Sequence, residues 1–482
     1  MTEALNNAAK MPVIVTPYRH QTEAYEYVSS LFGLNGGGIK SRGAALLMEM
    51  GTGKTLTSIG ITGRLLAEGQ IHHVLIVAPL SVVTVWRDEF ASYAAFNYEL
   101  AILSGSKAQK AETLKALTGQ KLQVAVVNYE SARLVEAELA HWKPDFIIAD
   151  EGHKIKTHNA AVSKTMHRLG TLAKYRLLLT GTPVTNKALD VFSEYKFLNP
   201  YVFGSSFYAF RSKYFFMTGY GNYTPVLKKS MEPELERRLH SIAFRATKAE
   251  CLDLPETTDI IHSVNLEPRA MKIYQNLVKD SYSELANGGE VTVTNVLTQL
   301  LRLSQLTGGF IGNDEDRTTE QISNAKLAVL EDIIDAATEE ARKLVVIARF
   351  VPELRAISKL LEAKGIRYSL IMGGVKNRDE QVVQFQNDPA VSVFLGQIAT
   401  AGLGITLTAS SYMVFYSLDY SMSNFEQTKA RIHRAGQRHP CTYLYLTARG
   451  TVDEKVLNAL KAKKNLAKLL VDDCRSGYNP FK

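Results

Sequence analysis

Two sets of short apolar runs lie along the chain, and each run is followed by turn residues and an amphipathic helical stretch. That alternation builds parallel sheets covered by helices, and it leaves few other architectures open. The first set reads as strands at 44–48, 74–78, 124–128, 146–149 and 176–180. The second reads as strands at 344–348, 368–371, 391–395, 412–416 and 442–446. At 482 residues the chain exceeds one ordinary core, so two α/β lobes in tandem are expected.

Between the sets the texture changes. Aromatic and charged segments such as YAFRSKYFF and PELERRLH read as a helical insertion over 189–250, and Pro255 within DLPETTD marks a linker at 251–262. The expected organisation is an N-terminal extension over 1–17, a first lobe over 18–250 and a second over 263–482. The second lobe opens with a helical region at 268–341. Gly36, Gly37 and Gly38 read as a loop and not as a phosphate cradle, because a strand follows them.

Composition excludes more than it selects. With 22% charged and 46% hydrophobic residues, the chain has neither a disordered nor a membrane profile. Cys251, Cys441 and Cys474 lie far apart with no CxxC pair, which argues against a disulfide framework and a zinc site. A net charge of +8 suits a polyanionic partner without identifying one. The opening MTEALNNAAK lacks a basic region leading into an apolar stretch, and no later run is long enough to span a bilayer, so a cytoplasmic, nucleoid-associated protein is expected.

The chemistry is concentrated at strand ends. After the strand ending near Met48 come Gly51, Thr52, Gly53, Lys54 and Thr55, then a helical run. Glycines let backbone N–H groups approach phosphates, a helix N-terminus favours anions, Lys54 reaches the β and γ phosphates, and Thr55 holds magnesium. The full pattern starts with glycine, and here that position is Met48. The run 146–149 ends in Asp150, Glu151, Gly152 and His153. At a parallel strand's carboxyl end, Asp150 is placed to hold magnesium and Glu151 to polarise the attacking water. Far downstream, QTKARIHRAGQ carries Gln427, Arg431 and Arg434; three apart on one expected helical face, both arginines could reach a γ phosphate.

Together these motifs resemble the Snf-type DNA translocases of helicase superfamily two, and the resemblance runs from about Tyr18 to Asp473. It implies two RecA-like parallel-sheet lobes with inserted helical protrusions, ATP and Mg2+ as cofactors, and ATP hydrolysis between the lobes. In PYRHQTEAYEYV, Gln21 resembles the family's adenine-reading glutamine, and the family's own nucleotide loop also lacks the leading glycine. DEGH is the family's form of the acidic box, with His153 coupled to it. LTGTPVTN, carrying Thr180, Gly181 and Thr182, resembles the element coupling hydrolysis to lobe movement. FRATKAECLDLP, around Arg245 and Lys248, resembles the segment before the lobe crossing.

Nucleic-acid contacts are implied at Pro79, Ser81 and Trp86 in LIVAPLSVVTVWRDEF, and at Tyr129 in VVNYE. ATAGLGITLTA adds Thr400 and Gly402 on the nucleic-acid side and Gly404 on the nucleotide side, while Gln427 joins the nucleotide set. This sequence departs from the family with Thr406 where asparagine is frequent and Ala430 where aspartate is frequent. The resemblance implies double-stranded DNA as partner, with little sequence preference, and a compact form like bacterial or phage members. An RNA or single-strand helicase, or a nucleotide-gated clamp that does not move, are the alternatives.

Overall fold

The structure is a computed structural model describing residues 10–181, 188–218, 224–251, 254–287, 293–312, 319–375, 377–398, 405–462 and 479. It divides into two units, Met1–Asp253 and Leu254–Lys482.

In unit one the strands are β1 (Gly43–Met48), β2 (His73–Ala78), β3 (Tyr98–Ile102), β4 (Leu122–Asn128), β5 (Phe146–Asp150) and β6 (Tyr175–Thr180). A short hairpin, β7 (Phe215–Thr218) with β8 (Thr224–Leu227), and a last strand, β9 (Ala243–Ala246), follow. Seven of them form one sheet in the order β3-β4-β2-β5-β6-β1-β9, every pair parallel. The central strands read as unbroken apolar runs because helices cover both faces; all six residues of β1 and the first four of β5 are buried.

Register aligns the strand ends. Gly43 pairs with Arg176 at the start of β1 and β6, Leu47 with Thr180 at the far end, and Asp150 with Leu179. All the chemistry-bearing segments of this unit therefore leave one edge of the sheet.

The edge strands β3 and β9 carry no strong sequence signal. The region 189–250, expected as a helical insertion, instead supplies β9 to the main sheet beside β1. Its helices Val191–Leu198, Phe207–Tyr214 and Glu232–His240 pack through aromatic contacts, with Phe210 5.3 Å from both Phe192 and Phe203 between ring centroids.

Unit two is a second parallel sheet, in the order β10-β17-β16-β13-β15-β14. Its strands are β10 (Thr257–Val264), β13 (Leu344–Ala348), β14 (Arg367–Ile371), β15 (Val391–Gln397), β16 (Tyr412–Phe415) and β17 (Cys441–Ala448). Val345 and Ile347 pack into one apolar cluster while Leu344, Val346 and Ala348 pack into another, so both faces of β13 are covered.

Residues 257–262, expected as linker, are strand: β10 pairs with β17 along its length. Its outward residues are mostly exposed, which hid it from a search for apolar runs. The region 268–341 holds helices Pro268–Asn287, Val293–Thr307 and Ala325–Glu339, but it also holds a hairpin of β11 (Phe310–Gly312) with β12 (Thr319–Gln321).

Beneath this sheet, Glu353 is fully buried near the N-terminus of helix Val351–Ala363. Its Oε2 accepts from the Ser417 hydroxyl at 2.6 Å and from the N–H groups of Phe350 and Arg349 at 3.0 and 3.2 Å. Burial raises its pKa to about 7, against the opposing pull of those donors and Lys326.

A raised carboxyl stabilises the fold fully below its unfolded value of 4.5, and that contribution is lost as pH climbs through 7. Glu353→Gln, which mimics the neutral form, should abolish this slope. Denaturation midpoints from pH 4.5 to 7.5 should show the parent losing about 3 kcal/mol relative to the variant. Parallel profiles would mean that the carboxyl is charged throughout.

Candidate active site

The helix Lys54–Ala67 starts a few residues after β1 ends at Met48. Its N-cap, Gly53, is left-handed at φ 89° and ψ 34°, a region that only glycine enters readily. A Cβ there would also stand 2.0 Å from Gln21 Nε2, so the position is closed to side chains twice over.

The loop is braced from behind by the preceding helix, Arg19–Leu31. The His20 ring nitrogen lies 2.7 Å from the Thr52 carbonyl, and Gln21 Nε2 donates to that oxygen at 3.1 Å. Gln21 Oε1 accepts from the Tyr18 N–H at 2.9 Å, so this amide joins the N-cap of its own helix to the loop. No side chain caps the helix that follows, and its positive dipole end faces the turn. Lys54 Nζ donates to the Met48 carbonyl at 2.9 Å, laying the ammonium across the strand end. Thr55 sits on the first turn.

Asp150 ends β5, two strand positions from β1, which puts the two strand ends about 10 Å apart. Glu151 takes the left-handed conformation, φ 51°, and turns the chain into the short helix Gly152–Ile155. Glu151 Oε2 pairs with His153 Nδ1 at 3.2 Å. Burial, and then the neighbouring Glu151 charge, push the Asp150 carboxyl above its ordinary range; the Trp86 indole and Lys54 pull the other way.

A half-buried acidic pair with that surplus of negative charge suits a divalent cation. Among the described residues no cluster of three or more His, Cys, Asp or Glu cages a metal by itself. Asp150 and the Thr55 hydroxyl, completed by phosphate oxygens and water, fit magnesium's preferred surroundings.

Between the two strand ends comes the end of β6. Thr180 is buried, and a Cβ on Gly181 would lie 2.8 Å from Met50 Cγ and 3.5 Å from Lys54 Nζ. Only a bare backbone passes there. Behind the loop, the Glu49 N–H donates to the Ala246 carbonyl at 2.9 Å, and Glu49 Oε2 accepts from the Lys248 N–H at 2.8 Å. The phosphate loop and the segment ending this unit are thus hydrogen-bonded to each other, a link that no sequence pattern signalled.

In unit two the helix Met422–Lys429 ends before either arginine. Arg431 and Arg434 lie in the turns beyond it, not on the helical face expected for them, because the helix stops at Ala430. Both nevertheless direct Nη1 to the Ile405 carbonyl at 3.4 Å, and the Leu407 N–H donates to the Arg431 carbonyl at 2.9 Å. Gln437 fastens the turn, donating to the Ser410 and Ile432 carbonyls at 2.9 and 3.0 Å. Gln427 Nε2 donates to Ser423 Oγ at 3.1 Å.

Two expected nucleic-acid contacts are corrected. Trp86 is 1% exposed and its Nε1 donates to Asp150 Oδ2 at 3.0 Å. Tyr129 is 2% exposed and its hydroxyl donates to the Asp150 carbonyl at 2.6 Å. Both side chains are spent holding the acidic residue and offer no surface to a strand. Pro79 stays half-buried at the start of a short helical turn. Thr182, Thr400, Gly402 and Gly404 lie outside the described residues, as does the side chain of Ser81.

A hydrogen bond to a charged group contributes about 1.5–3 kcal/mol, so Trp86→Phe should lower ATP turnover about tenfold or more. Nucleic-acid affinity, read by fluorescence anisotropy, should stay within about twofold of the parent for Trp86→Phe and Tyr129→Phe, since neither ring reaches the surface. Lost affinity with unchanged turnover would restore the surface role.

Comparison with known proteins identifies relatives of the chain. The family model described as SNF2-related domain matches residues 12–308, more than half of the chain, and the helicase conserved C-terminal domain matches 325–436. The chain is 26% identical over 482 aligned positions to the DNA repair and recombination protein RDH54 of Saccharomyces cerevisiae (strain JAY291), covering 89% of this chain and 51% of that protein. It is 26% identical to the probable ATP-dependent DNA helicase CHR23 of Arabidopsis thaliana, covering 93% and 42%. The chain thus spans about half the length of the curated relatives it matches. Among solved structures, the Sulfolobus solfataricus SWI2/SNF2 ATPase core in complex with dsDNA matches with a TM-score of 0.46 and 24% identity, over 97% of this chain and 95% of that one. Because the SNF2-related model covers more than half of its length, the chain belongs to the SNF2-related family.

Proposed function

We propose that this protein is an ATP-hydrolysing motor that moves along nucleic acid, with double-stranded DNA as its track. The observation that carries the reading is the convergence of Lys54 and the half-buried Asp150–Glu151 pair at one edge of one sheet, with Gly181 leaving the space beside Lys54 open. That edge supplies a helix dipole and an ammonium for phosphates, a carboxylate for a magnesium ion, and a second carboxylate for the attacking water. Arg431 and Arg434 add positive charge at the γ phosphate during turnover, and their shared anchor on the Ile405 carbonyl makes them act together.

Duplex DNA is favoured because the relatives are named as DNA repair and recombination proteins and as a DNA helicase. Contacts to phosphates carry no base information, so binding is expected to show little sequence preference and to weaken steeply with salt. No described helix is long and apolar enough to cross a membrane.

Lys54→Ala should cut ATP turnover by roughly a hundredfold or more while sparing DNA binding. Arg434→Ala should bind ATP but hydrolyse it poorly, with a loss on the order of a thousandfold if it acts as a finger. Steady-state ATPase assays with duplex DNA, single-stranded DNA and RNA decide the track. The greatest stimulation should come with duplex; greater stimulation by RNA or single strands would replace the motor's substrate, and no stimulation by any would leave a clamp.

A further inference from the structure

The opposite edge of the first sheet carries a cavity of about 330 Å³ with an unusual charge balance. Lys40, Arg42, Arg176 and Lys196 line it, and among the described residues none of the four has a carboxylate within ion-pairing distance. Some cations elsewhere in the same unit are matched, as Arg168 is with Glu136 and Lys213 with Glu234 at 2.8 Å. Lys40 Nζ donates to Ser30 Oγ at 3.3 Å, and Lys196 lies over the Phe192 ring, so neither loses its charge to a neighbour.

Arg176 is the most constrained of the set. Its Nη1 donates to the Gly170 carbonyl at 2.8 Å, while its Nε–H is buried without a hydrogen-bond partner. Burial chiefly, and then the nearby Arg42, depress its pKa. Such a cluster is costly unless an anion offsets it.

The rim adds a second feature. Tyr201 is 92% exposed, the most exposed large hydrophobic side chain among the described residues. Its N–H donates to Asn199 Oδ1 at 3.0 Å, and Asn199 Nδ2 donates to Ser41 Oγ at 3.2 Å, so the backbone that carries the ring is tied to the cavity wall while the ring itself stands open to solvent. An exposed ring on anchored backbone beside cations without carboxylate partners is the arrangement that receives single strands, with a phosphate on the charges and a base on the ring. A duplex keeps its bases stacked inside and gains nothing from the tyrosine.

We infer that this cavity, formed by Lys40, Arg42, Arg176 and Lys196 with Tyr201 at its mouth, binds single-stranded nucleic acid, one phosphodiester inside and the adjoining base on the Tyr201 ring. It lies a strand length, roughly 13 Å, from the edge that carries the phosphate loop, counting Arg176 to Thr180. It is therefore separate from the nucleotide site, and its occupancy does not require ATP turnover.

Photo-crosslinking tests this on the full chain. A thymidine 12-mer carrying 5-iododeoxyuridine is irradiated with the protein and the labelled peptide identified by mass spectrometry. The expected adduct is on Tyr201, is retained in Lys54→Ala, and falls at least tenfold in the double variant Arg42→Ala, Lys196→Ala. In Tyr201→Ala, the peptide spanning 199–205 should lose its label. Duplex-stimulated ATPase should stay within twofold in the charge and tyrosine variants, which shows that they fold. Absence of label at Tyr201, label unchanged by the charge variant, or label obtained only with a duplex carrying the same base would each overturn the assignment. So would variants that alter only the binding of inorganic phosphate, which would make this a small-anion site.

Discussion

Holding a carboxylate at the end of a buried strand, next to a second carboxylate, is the constraint around which the first unit is organised. Asp150 would relax by taking up a proton or by swinging to water unless its surroundings fixed it. The indole of Trp86 holds the carboxylate and the hydroxyl of Tyr129 holds the backbone carbonyl of the same residue, from two further strand–helix junctions, those after β2 and β4. Each lies beside β5 or one strand beyond it, so the sheet order β4-β2-β5 is what delivers both donors. A different strand order would leave the same residues in the sequence and no acidic site in the fold.

The same logic explains the glycines and the short contacts around the phosphate loop. Gly53 and Gly181 approach Gln21 and Met50 so closely that a methyl group fits at neither, and Lys54 extends through the space thus left. Glu49 then carries the loop's position to Lys248, at the end of the unit. The loop and the last segment of the unit are thus tied to each other without passing through the sheet's core.

What could be read from the sequence follows from where physics leaves a mark. Central strands such as β1, β2, β5 and β13 are buried on both faces, so their residues are continuously apolar and they were legible. The edge strands β3, β9 and β10 are half wet; β3 goes unassigned in the sequence, and the other two fall in segments that read as insertion and linker. The phosphate loop and acidic box were legible because backbone geometry and charge demand those residue types. Trp86 and Tyr129 were assigned to the wrong surroundings because spacing says nothing about which way an aromatic ring turns. Arg431 and Arg434 were found but misplaced on a helix, since helix propensity gives no sign that the helix stops before Ala430.

The two edges of the first sheet are not equivalent electrostatically, and this asymmetry bears on both anion sites. At the carboxyl edge the following helices begin, so backbone N–H groups and a positive dipole face the ligand, and one lysine suffices to complete a phosphate site. At the opposite edge helices end: the helix Ala161–Leu172 points its carbonyls there, and Arg176 is already bonded to one of them at Gly170. Backbone at that edge repels an anion. A phosphate can be held there only by side-chain cations in excess, and the concentration of four of them about one cavity, with no carboxylate to neutralise them among the described residues, meets that requirement. The glycines at 36–38 offer no cradle, because a strand follows them; the positive charge comes instead from Lys40 and Arg42, on the chain they lead into.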